Sequence, residues 1–452
     1  MSAVLPLPTQ APLTILQILQ QEFAIIELNG KHGIVQINEL KWQHGMKEAP
    51  KLRIHSGVDV KIVLNRRIEE IAITCKPMQV IQDFWNNPNT TLYKNVAFSP
   101  MPQSPNTLNL WIGPTIIPCQ GSWLTLKQFI DSVLCSDDKA SSEYLLNYLA
   151  HMLQKPEEKS RIMIVFLGGE GTGKGTFEVI LRKIFSATTL LISDVESVIG
   201  GFNAQLERAY AVFMDEALFH GNKRATERLK SYVTSDFIQI EEKQMPKRSI
   251  ESFHRFFAAS NSEHFAHIDP DNRRMFYLKV SERFKGNSLY WDKIYHAINN
   301  GEVAAMVYDL LTRDLSNFVI QNRPQSQELL SQKIASLPPL EKFWFDCLWR
   351  GETSEPFTYS NTLDTEPWEL GYFWSTKHIL GSFNISMRSS QRYGSTITKN
   401  LSDTLSKVCP SAKRIRKMEN GNRGWGYELP AIDIARKEFE RYLGGTPLSW
   451  PD

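Results

Sequence analysis

The stretch Gly168-Gly169-Glu170-Gly171-Thr172-Gly173-Lys174-Gly175-Thr176 decides the fold of this chain. An apolar run at 162–167 precedes it and predicts a strand, and Phe177, Ile180 and Ile184 follow at the spacing of one helix face. Glycines in this position let backbone N–H groups approach phosphates, and the helix N-terminus adds a positive dipole end. We therefore predict that Gly168 to Phe177 bind the phosphates of ATP and that Lys174 reaches the terminal ones. The alternative is a glycine-rich turn without a nucleotide.

The magnesium ligand of this loop departs from the usual pattern. Ser or Thr normally follows the lysine and ligates Mg²⁺, but this chain has Gly175 at that position. Thr176 carries the next hydroxyl, and we assign the ligand role to it.

The composition excludes several classes of protein. With 452 residues, 42% of them hydrophobic and 22% charged, the chain resembles an ordinary soluble protein of several domains. Its five cysteines are scattered, which argues against a disulfide framework or a zinc site. A net charge of +2 does not discriminate between partners, and no run of about 18 apolar residues is present to span a membrane. We expect a cytoplasmic protein with no membrane partner.

Apolar strands alternate with helical patterns after residue 160, which predicts an α/β fold with a mainly parallel sheet. Before residue 135, short alternating strands such as Phe23 to Leu28 predict a separate, smaller domain. The expected order is an N-terminal α+β domain at 1–135, a helical collar or linker at 136–160, an ATPase core at 161–285, a helical extension at 286–350, a linker at 351–368 and a winged-helix-like domain at 369–452.

Two further apolar strands end in polar residues that suit the same nucleotide site. The strand at 209–214 ends in Asp215 and Glu216, where Asp215 would hold magnesium and Glu216 would polarise the attacking water. The strand at 253–260 ends in Asn261, which would sense the γ-phosphate. The alternative for Asp215 and Glu216 is an exposed strand end without a catalytic role.

Two basic groups lie near these strands. Arg273 and Arg274 suit an arginine finger that serves a neighbouring subunit's nucleotide, which would require a head-to-tail ring; a surface ion pair is the alternative. Lys243, Lys247 and Arg248 lie at a predicted hairpin tip that could grip the phosphates of a single strand, although a solvated turn explains the same charges.

Together these motifs resemble the superfamily 3 helicases, a compact AAA+ class of viral, phage and plasmid replication proteins. The form GEGTGKGTF resembles phage and prophage primase-helicases with a DUF5906-type module, and the resemblance covers about residues 60 to 350. It implies ATP-driven translocation on single-stranded and forked DNA by a hexameric ring, in a bacterial host cell. The acidic residues before the collar form no Asp-x-Asp or Asp-x-Glu motif on a strand, so we expect no primase domain and add a separate primase or polymerase as a further partner.

The C-terminal region independently favours DNA. A predicted helix ends near Val408, and two strands then flank Glu419-Asn420-Gly421-Asn422, which predicts a hairpin. Basic residues dominate this helix and hairpin, and Trp425 and Tyr427 lie beside them. The expected DNA contacts are Lys413, Arg414, Arg416, Lys417 and Arg423. An interaction domain whose charges only solubilise it is the alternative.

The motifs predict an ATP-dependent replicative DNA helicase of a phage or mobile element. A nucleotide-gated origin-binding or loading AAA+ protein, which assembles on DNA without unwinding it, is the alternative. An ATPase of defence or signalling with no DNA partner is a third possibility, and the basic hairpin disfavours it.

Overall fold

A computed structural model describes residues 13–28, 30–40, 52–72, 76–193, 203–215, 223–241, 247–261, 274–324, 327–356, 363–368, 370–388, 398–419, 422–445 and 447–451. Three of the predicted site residues, Glu216, Lys243 and Arg273, lie outside these ranges. In the described parts of the chain, none of the helices combines the length and the apolar character needed to cross a bilayer.

The N-terminal part packs three helices on a four-stranded sheet. Its elements are α1 (Ile15–Glu22), β1 (Phe23–Leu28), β2 (Lys31–Gln36), β3 (Ile54–Ser56), α2 (Val58–Ile71), α3 (Pro77–Asn86) and β4 (Leu92–Tyr93), followed by the paired short strands β5 (Asn95–Ala97) and β6 (Thr107–Asn109). The sheet order is β3-β2-β1-β4. Thr14 begins α1 with a capping box to Gln17, in which each side chain binds the other's backbone N–H. The predicted strand Phe23 to Leu28 is therefore confirmed.

The central part is a five-stranded parallel sheet preceded by two helices. In chain order it comprises α4 (Leu124–Phe129), a short π-helix (Ile130–Leu134), α5 (Lys139–Gln154), β7 (Met163–Leu167), α6 (Lys174–Phe185), β8 (Thr189–Ile192), β9 (Ala211–Met214), α7 (Lys223–Thr234), the hairpin strands β10 (Phe237–Ile240) and β11 (Arg248–Glu251), β12 (Arg255–Ser260) and β13 (Met275–Lys279). The sheet order is β13-β7-β12-β9-β8, and every pairing in it is parallel. The predicted parallel sheet is confirmed.

Both faces of this sheet are covered, which explains why its strands read as continuous apolar runs. Successive side chains of a strand point to opposite faces. Accordingly, Ile164 and Phe166 of β7 join the core that also contains α5 and α6, whereas Met163 and Val165 join the core on the other face. The helices α8 (Ser288–Asn299) and α9 (Glu302–Thr312) pack on the first of these cores.

The C-terminal part begins earlier than the sequence indicated. Helices α10 (Gln327–Ala335) and α11 (Pro339–Arg350) contribute buried residues such as Leu330 and Trp344 to the C-terminal core, and α10 also contacts strand β13 of the parallel sheet. The segment 351–368, expected to be a linker, contains the antiparallel hairpin β14 (Glu352–Pro356) and β15 (Leu363–Pro367). Its strands are mostly polar, so they lack the apolar alternation that identifies a strand in sequence. The hairpin is anchored by Trp368, which is buried edge-on against Trp344 with ring centroids 5.2 Å apart.

The remaining elements surround a three-stranded sheet. They are β16 (Phe373–Ser375), α12 (Thr376–Arg388), α13 (Thr398–Val408), β17 (Lys413–Glu419), β18 (Asn422–Glu428) and α14 (Ile432–Tyr442). The sheet is antiparallel with the order β16-β18-β17. The predicted hairpin around residues 419–422 is therefore confirmed.

Candidate functional site

The glycine-rich loop connects strand β7 to helix α6, as the sequence predicted. Gly171 and Gly173 have φ values of +72° and +98°, in the left-handed region that favours glycine. Gly173 is the N-cap of α6, and the backbone N–H groups and positive dipole end of a helix N-terminus favour a bound anion. The hydroxyl of Thr172 donates to the carbonyl of Gly169 at 2.8 Å, which tightens the loop. The loop therefore has the left-handed glycines and the adjoining helix N-terminus on which the prediction of phosphate binding depends.

Lys174 is the first residue of α6 and lies almost entirely buried beside the loop. Its Nζ donates to the carbonyl oxygens of Gly168 and Gly169, each at 2.6 Å. Only 7% of the residue is exposed. These contacts place the positively charged ammonium group beside the loop, where it would attract a bound phosphate.

Strand register brings the predicted polar residues to the same edge of the sheet. Asp215 directly follows β9 and Asn261 directly follows β12, and these strands are neighbours with Ala258 opposite Met214. Strand β12 also pairs with β7, and the backbone N–H of Gly168 donates to the carbonyl of Ser260 at 3.2 Å. The loop, the carboxylate and the amide therefore meet at the carboxyl ends of three adjacent parallel strands.

A cavity of about 510 Å³ lies at this edge. Its walls combine the loop, the two strand-end residues and two aromatic residues, namely Glu170, Gly171, Thr172, Gly173, Lys174, Gly175, Thr176, Asp215, Asn261, Trp291 and Tyr295. Most of the residues predicted to form the nucleotide site are thus brought together.

Phe177 was predicted to contact the nucleotide, but its side chain faces the core and does not line the cavity. It is fully buried, and its ring lies 4.8 Å from that of Phe166 and 5.4 Å from that of Phe257, measured between centroids. Helix periodicity gives the reason, since Phe177, Ile180 and Ile184 form the face of α6 that packs on the sheet. Phe177 holds α6 in place and does not contact a ligand in the cavity.

Sequence reasoning missed the aromatic wall of the cavity. Trp291 and Tyr295 are four residues apart on α8, so they lie on one helix face. The Tyr295 hydroxyl lies 3.4 Å from the Oγ1 of Thr176. An aromatic pair at this spacing was visible in the sequence, but only the fold brings α8 beside the loop.

Arg274 lies at the amino ends of the parallel strands, whereas the cavity lies at their carboxyl ends. Its carbonyl accepts from the backbone N–H of Met163 at 2.8 Å, at the amino ends of β13 and β7. Five strand residues separate it from the loop edge, which corresponds to roughly 17 Å at about 3.3 Å per residue. The side chain of Arg274 therefore does not reach the cavity of its own chain.

Asn203 links the hairpin β10–β11 to helix α7. This residue is fully buried, and its side-chain NH₂ donates to the Tyr232 hydroxyl at 3.0 Å and to the Gln239 carbonyl at 2.9 Å. Its side-chain oxygen accepts from the backbone N–H of Glu241 at 2.8 Å. At the tip end of the hairpin, the Lys247 ammonium lies 2.9 Å from a carboxylate oxygen of Glu241 and is largely exposed. Arg248 begins β11.

A buried hydrogen-bonded chain lies at the base of the same hairpin. Lys159 donates to the Tyr232 carbonyl at 2.9 Å and to the hydroxyl of Ser252, which pairs with Nδ1 of His254 at 2.9 Å. Nε2 of His254 lies 2.8 Å from the carbonyl of Leu206 and donates to it. Burial lowers the pKa of Lys159 to about 7 and, with the nearby Lys159 charge, lowers that of His254 to about 3. His254 is therefore neutral at physiological pH.

The second basic group lies on the C-terminal hairpin, where five cations were predicted to contact DNA. Arg416 is directly opposite Trp425 in the β17–β18 pair, and the guanidinium carbons of Arg414 and Arg416 lie 4.9 and 5.9 Å from the centroid of the Trp425 ring. Half of Trp425 is exposed. On the same hairpin, the Lys417 ammonium lies 5.6 Å from the ring of Phe373, and Lys413 and Arg423 are exposed. An exposed aromatic ring flanked by cations can stack on a nucleobase while the cations contact phosphates.

Comparisons with known proteins agree with part of this picture. A family of unknown function, DUF5906, matches residues 166–274, which is the segment from β7 to the start of β13. The DNA primase-polymerase of Nitratiruptor phage NrS-1 is 27% identical over 172 residues, which cover 36% of this chain and 23% of that protein. The chain thus aligns with less than a quarter of that relative. The predicted resemblance to a DUF5906 module is confirmed, whereas the superfamily 3 assignment stays a prediction.

Two solved structures share the fold over nearly the whole chain. An apo structure of the NrS-1 C-terminal region has a TM-score of 0.66 at 17% identity, and covers 93% of this chain and 100% of that one. A second apo form of the same region has a TM-score of 0.64 at 16% identity with the same coverage. At this level of identity the likeness establishes the fold alone.

Proposed function

We propose that this chain is an ATP-dependent DNA helicase that acts in the replication of a phage or mobile element, with an AAA+ P-loop core that works as a hexameric ring. One observation carries the proposal: the glycine-rich loop, Lys174, Asp215 and Asn261 line a single cavity at the carboxyl edge of a parallel sheet. The sequence similarity to part of a phage DNA primase-polymerase supports the role in phage DNA replication.

The residues of the cavity fit MgATP. Loop N–H groups and Lys174 would bind the phosphates, and Asn261 would contact the γ-phosphate. Among the described residues, no group of three or more His, Cys, Asp or Glu side chains could hold a metal. Magnesium would therefore depend on Thr176, Asp215 and the phosphate oxygens of ATP, which is a common arrangement for this ion. When bound, the ion would neutralise the charge that develops on the phosphates.

The position of Arg274 supports action between subunits. Arg274 lies at the amino ends of the strands, and its own cavity lies at their carboxyl ends. It could therefore contact only the nucleotide of a neighbouring chain. Mixing an Arg273→Ala/Arg274→Ala variant with a Lys174→Ala variant should then restore part of the ATPase activity that each lacks alone. Mixed rings would contain sites built from an intact loop and an intact finger. No recovery at any mixing ratio would contradict a finger that acts in trans.

The decisive test of the function is ATP hydrolysis with and without single-stranded DNA at two salt concentrations. We expect DNA to stimulate hydrolysis and salt to suppress the stimulation, because counterion release weakens phosphate contacts as salt rises. Lys174→Ala should abolish turnover, whereas Lys183→Ala, an exposed lysine of the same helix, should leave it unchanged. Normal turnover by Lys174→Ala would refute the assignment of the loop.

A loading protein that assembles on DNA without unwinding it is the second candidate, and the C-terminal part favours it. The sheet β16-β18-β17 with α12 and α13 supports a winged-helix-like arrangement, and its basic hairpin exposes Trp425. A strand-displacement assay on a forked duplex separates the two candidates. A helicase should separate the strands with ATP, and a loader should show nucleotide-dependent assembly without separation.

A further inference from the structure

The cavity beside the loop has two chemically different ends. Strands β12 and β9, which carry Asn261 and Asp215, lie on one side of β7. Strand β13 lies on the other side, and the chain continues from it into α8, which carries Trp291 and Tyr295. The loop after β7 therefore adjoins both a polar part and an aromatic part of the same cavity.

The aromatic end is held in place by packing that is independent of any ligand. The ring of Trp291 packs edge-on against Phe129 of α4, with centroids 6.1 Å apart, and its Nε1 donates to the carbonyl of Phe284 at 3.1 Å. A methyl group added to Gly173 would lie only 2.3 Å from this ring, so Trp291 touches the last glycine of the loop. Tyr295, one turn further along α8, remains 42% exposed. A rigid aromatic surface therefore adjoins the point where the loop becomes α6.

We propose that Trp291 and Tyr295 form the platform for the nucleobase, so that the bound nucleotide runs from its base at α8, across the loop, to its γ-phosphate near Asp215 and Asn261. This inference rests on the proposed nucleotide-binding function of the loop. Two observations carry it: both aromatic residues line the same cavity as the loop, and the chain reaches them directly from β13, which is on the other side of β7 from the strands that carry the carboxylate and the amide. Aromatic rings bind bases through their π-faces, whereas phosphates bind to the N–H groups and the lysine.

The platform should discriminate between ligands with and without a base. We expect Tyr295→Leu to weaken binding of MgATP roughly 5- to 150-fold, which is the range of one base-stacking contact. Binding of magnesium tripolyphosphate, which carries the same phosphates and no base, should change less than about twofold. Tyr295→Phe keeps the ring and should bind MgATP like the wild type. Isothermal titration of the full-length protein measures all three.

Trp291 gives a second variant with a different risk of misfolding. Trp291→Leu should also weaken MgATP selectively, and Trp291→Phe should restore part of the affinity. Tyr308→Leu, a partly exposed tyrosine of α9 that does not line the cavity, is the matched control and should bind both ligands normally. Equal losses for MgATP and tripolyphosphate in Tyr295→Leu would show that the aromatic residues only support the loop and would overturn the proposal. Unchanged binding of both would overturn it as well.

Photolabelling locates the base directly. An 8-azido-ATP probe bound to the wild-type protein should label a peptide that contains residues 288–299, and excess ATP should suppress the label. Labelling near Asp215 or Asn261 instead would reverse the proposed direction of the nucleotide. Failure of the wild-type protein to bind either MgATP or tripolyphosphate would refute the nucleotide site itself, which is a different result from failure of the platform. Lys174→Ala should lose binding of both ligands, which is the result expected when the nucleotide site itself fails.

Discussion

Alanine substitutions at Gly171, Gly173 and Gly175 make the same chemical change in or beside one loop but should change its stability by different amounts. Gly171 has a φ of +72° and open space around an added methyl group. Gly173 has a φ of +98°, and its added methyl group would lie 2.3 Å and 2.8 Å from two ring carbons of Trp291. Gly175 has neither constraint, since it is in the first turn of α6 with nothing within 4 Å. The three positions therefore separate backbone strain from steric overlap.

The magnitudes follow from these differences. Gly175→Ala should be neutral or raise the local stability by up to about 1 kcal/mol, because alanine is the better helix former. Gly171→Ala should cost about 1–2 kcal/mol, the price of placing a Cβ in the left-handed region. Gly173→Ala carries the same strain plus an overpacking cost of about 1–3 kcal/mol, so its total should be about 2–5 kcal/mol.

Hydrogen exchange with mass spectrometry is the suitable assay, because a chain of several cores does not unfold in a single two-state step. The opening free energy of peptides covering 163–185 is compared among the variants of the full-length, nucleotide-free protein. A double-mutant cycle with Trp291→Ala should recover most of the steric part of the Gly173→Ala cost and none of the Gly171→Ala cost. Equal costs at Gly171 and Gly173, or no coupling between Gly173 and Trp291, would refute the reasoning.

Three further predictions concern other parts of the molecule. Asn203→Ala should destabilise the β10–β11 hairpin by about 2–4 kcal/mol, because it leaves buried polar groups unsatisfied, and hydrogen exchange of the hairpin measures this loss. The pKa of His254 is lower in the folded protein than in the unfolded chain, so the unfolded chain binds a proton first as the pH falls. The stability of the protein should therefore decrease as the pH drops from about 6.5 towards about 3. In thermal unfolding, His254→Gln should reduce this decrease, and an unchanged pH dependence would contradict the assignment. Trp425→Ala should weaken single-stranded DNA binding roughly 5- to 150-fold with an unchanged salt dependence, whereas Arg416→Gln should lower the salt slope by about one. Ile434→Ala, an exposed apolar residue on α14, is the control in the same DNA titrations.

Local sequence was sufficient wherever a feature depends on neighbouring residues. The glycines, the flanking apolar runs and the helix periodicity predicted β7, the loop and α6, because backbone freedom and alternation of burial are properties of a short stretch. Asp215 and Asn261 were predicted for a related reason. In a parallel sheet, the residue after each apolar strand lies at the same edge, so chain order alone indicates which polar groups can meet.

Predictions from the local sequence were wrong where the environment of a residue depends on its packing against distant parts of the chain. Phe177 was assigned to the ligand because it adjoins the loop, but the register of α6 turns it into the core. The segment 351–368 was assigned to a linker because its strands are polar, and only the burial of Trp368 against Trp344 shows that it belongs to the C-terminal core.

The sequence by itself determined that this chain has a glycine-rich loop between a buried strand and a helix, with acidic and amide groups at the ends of later strands. Only the tertiary structure decided which edge of the sheet each residue occupies. It placed Arg274 opposite its own cavity and brought Trp291 and Tyr295 to the loop from a helix more than 100 residues away in the chain. The physical reason is that the order of strands in a sheet is set by burial of both faces, which the local pattern of any single strand does not contain.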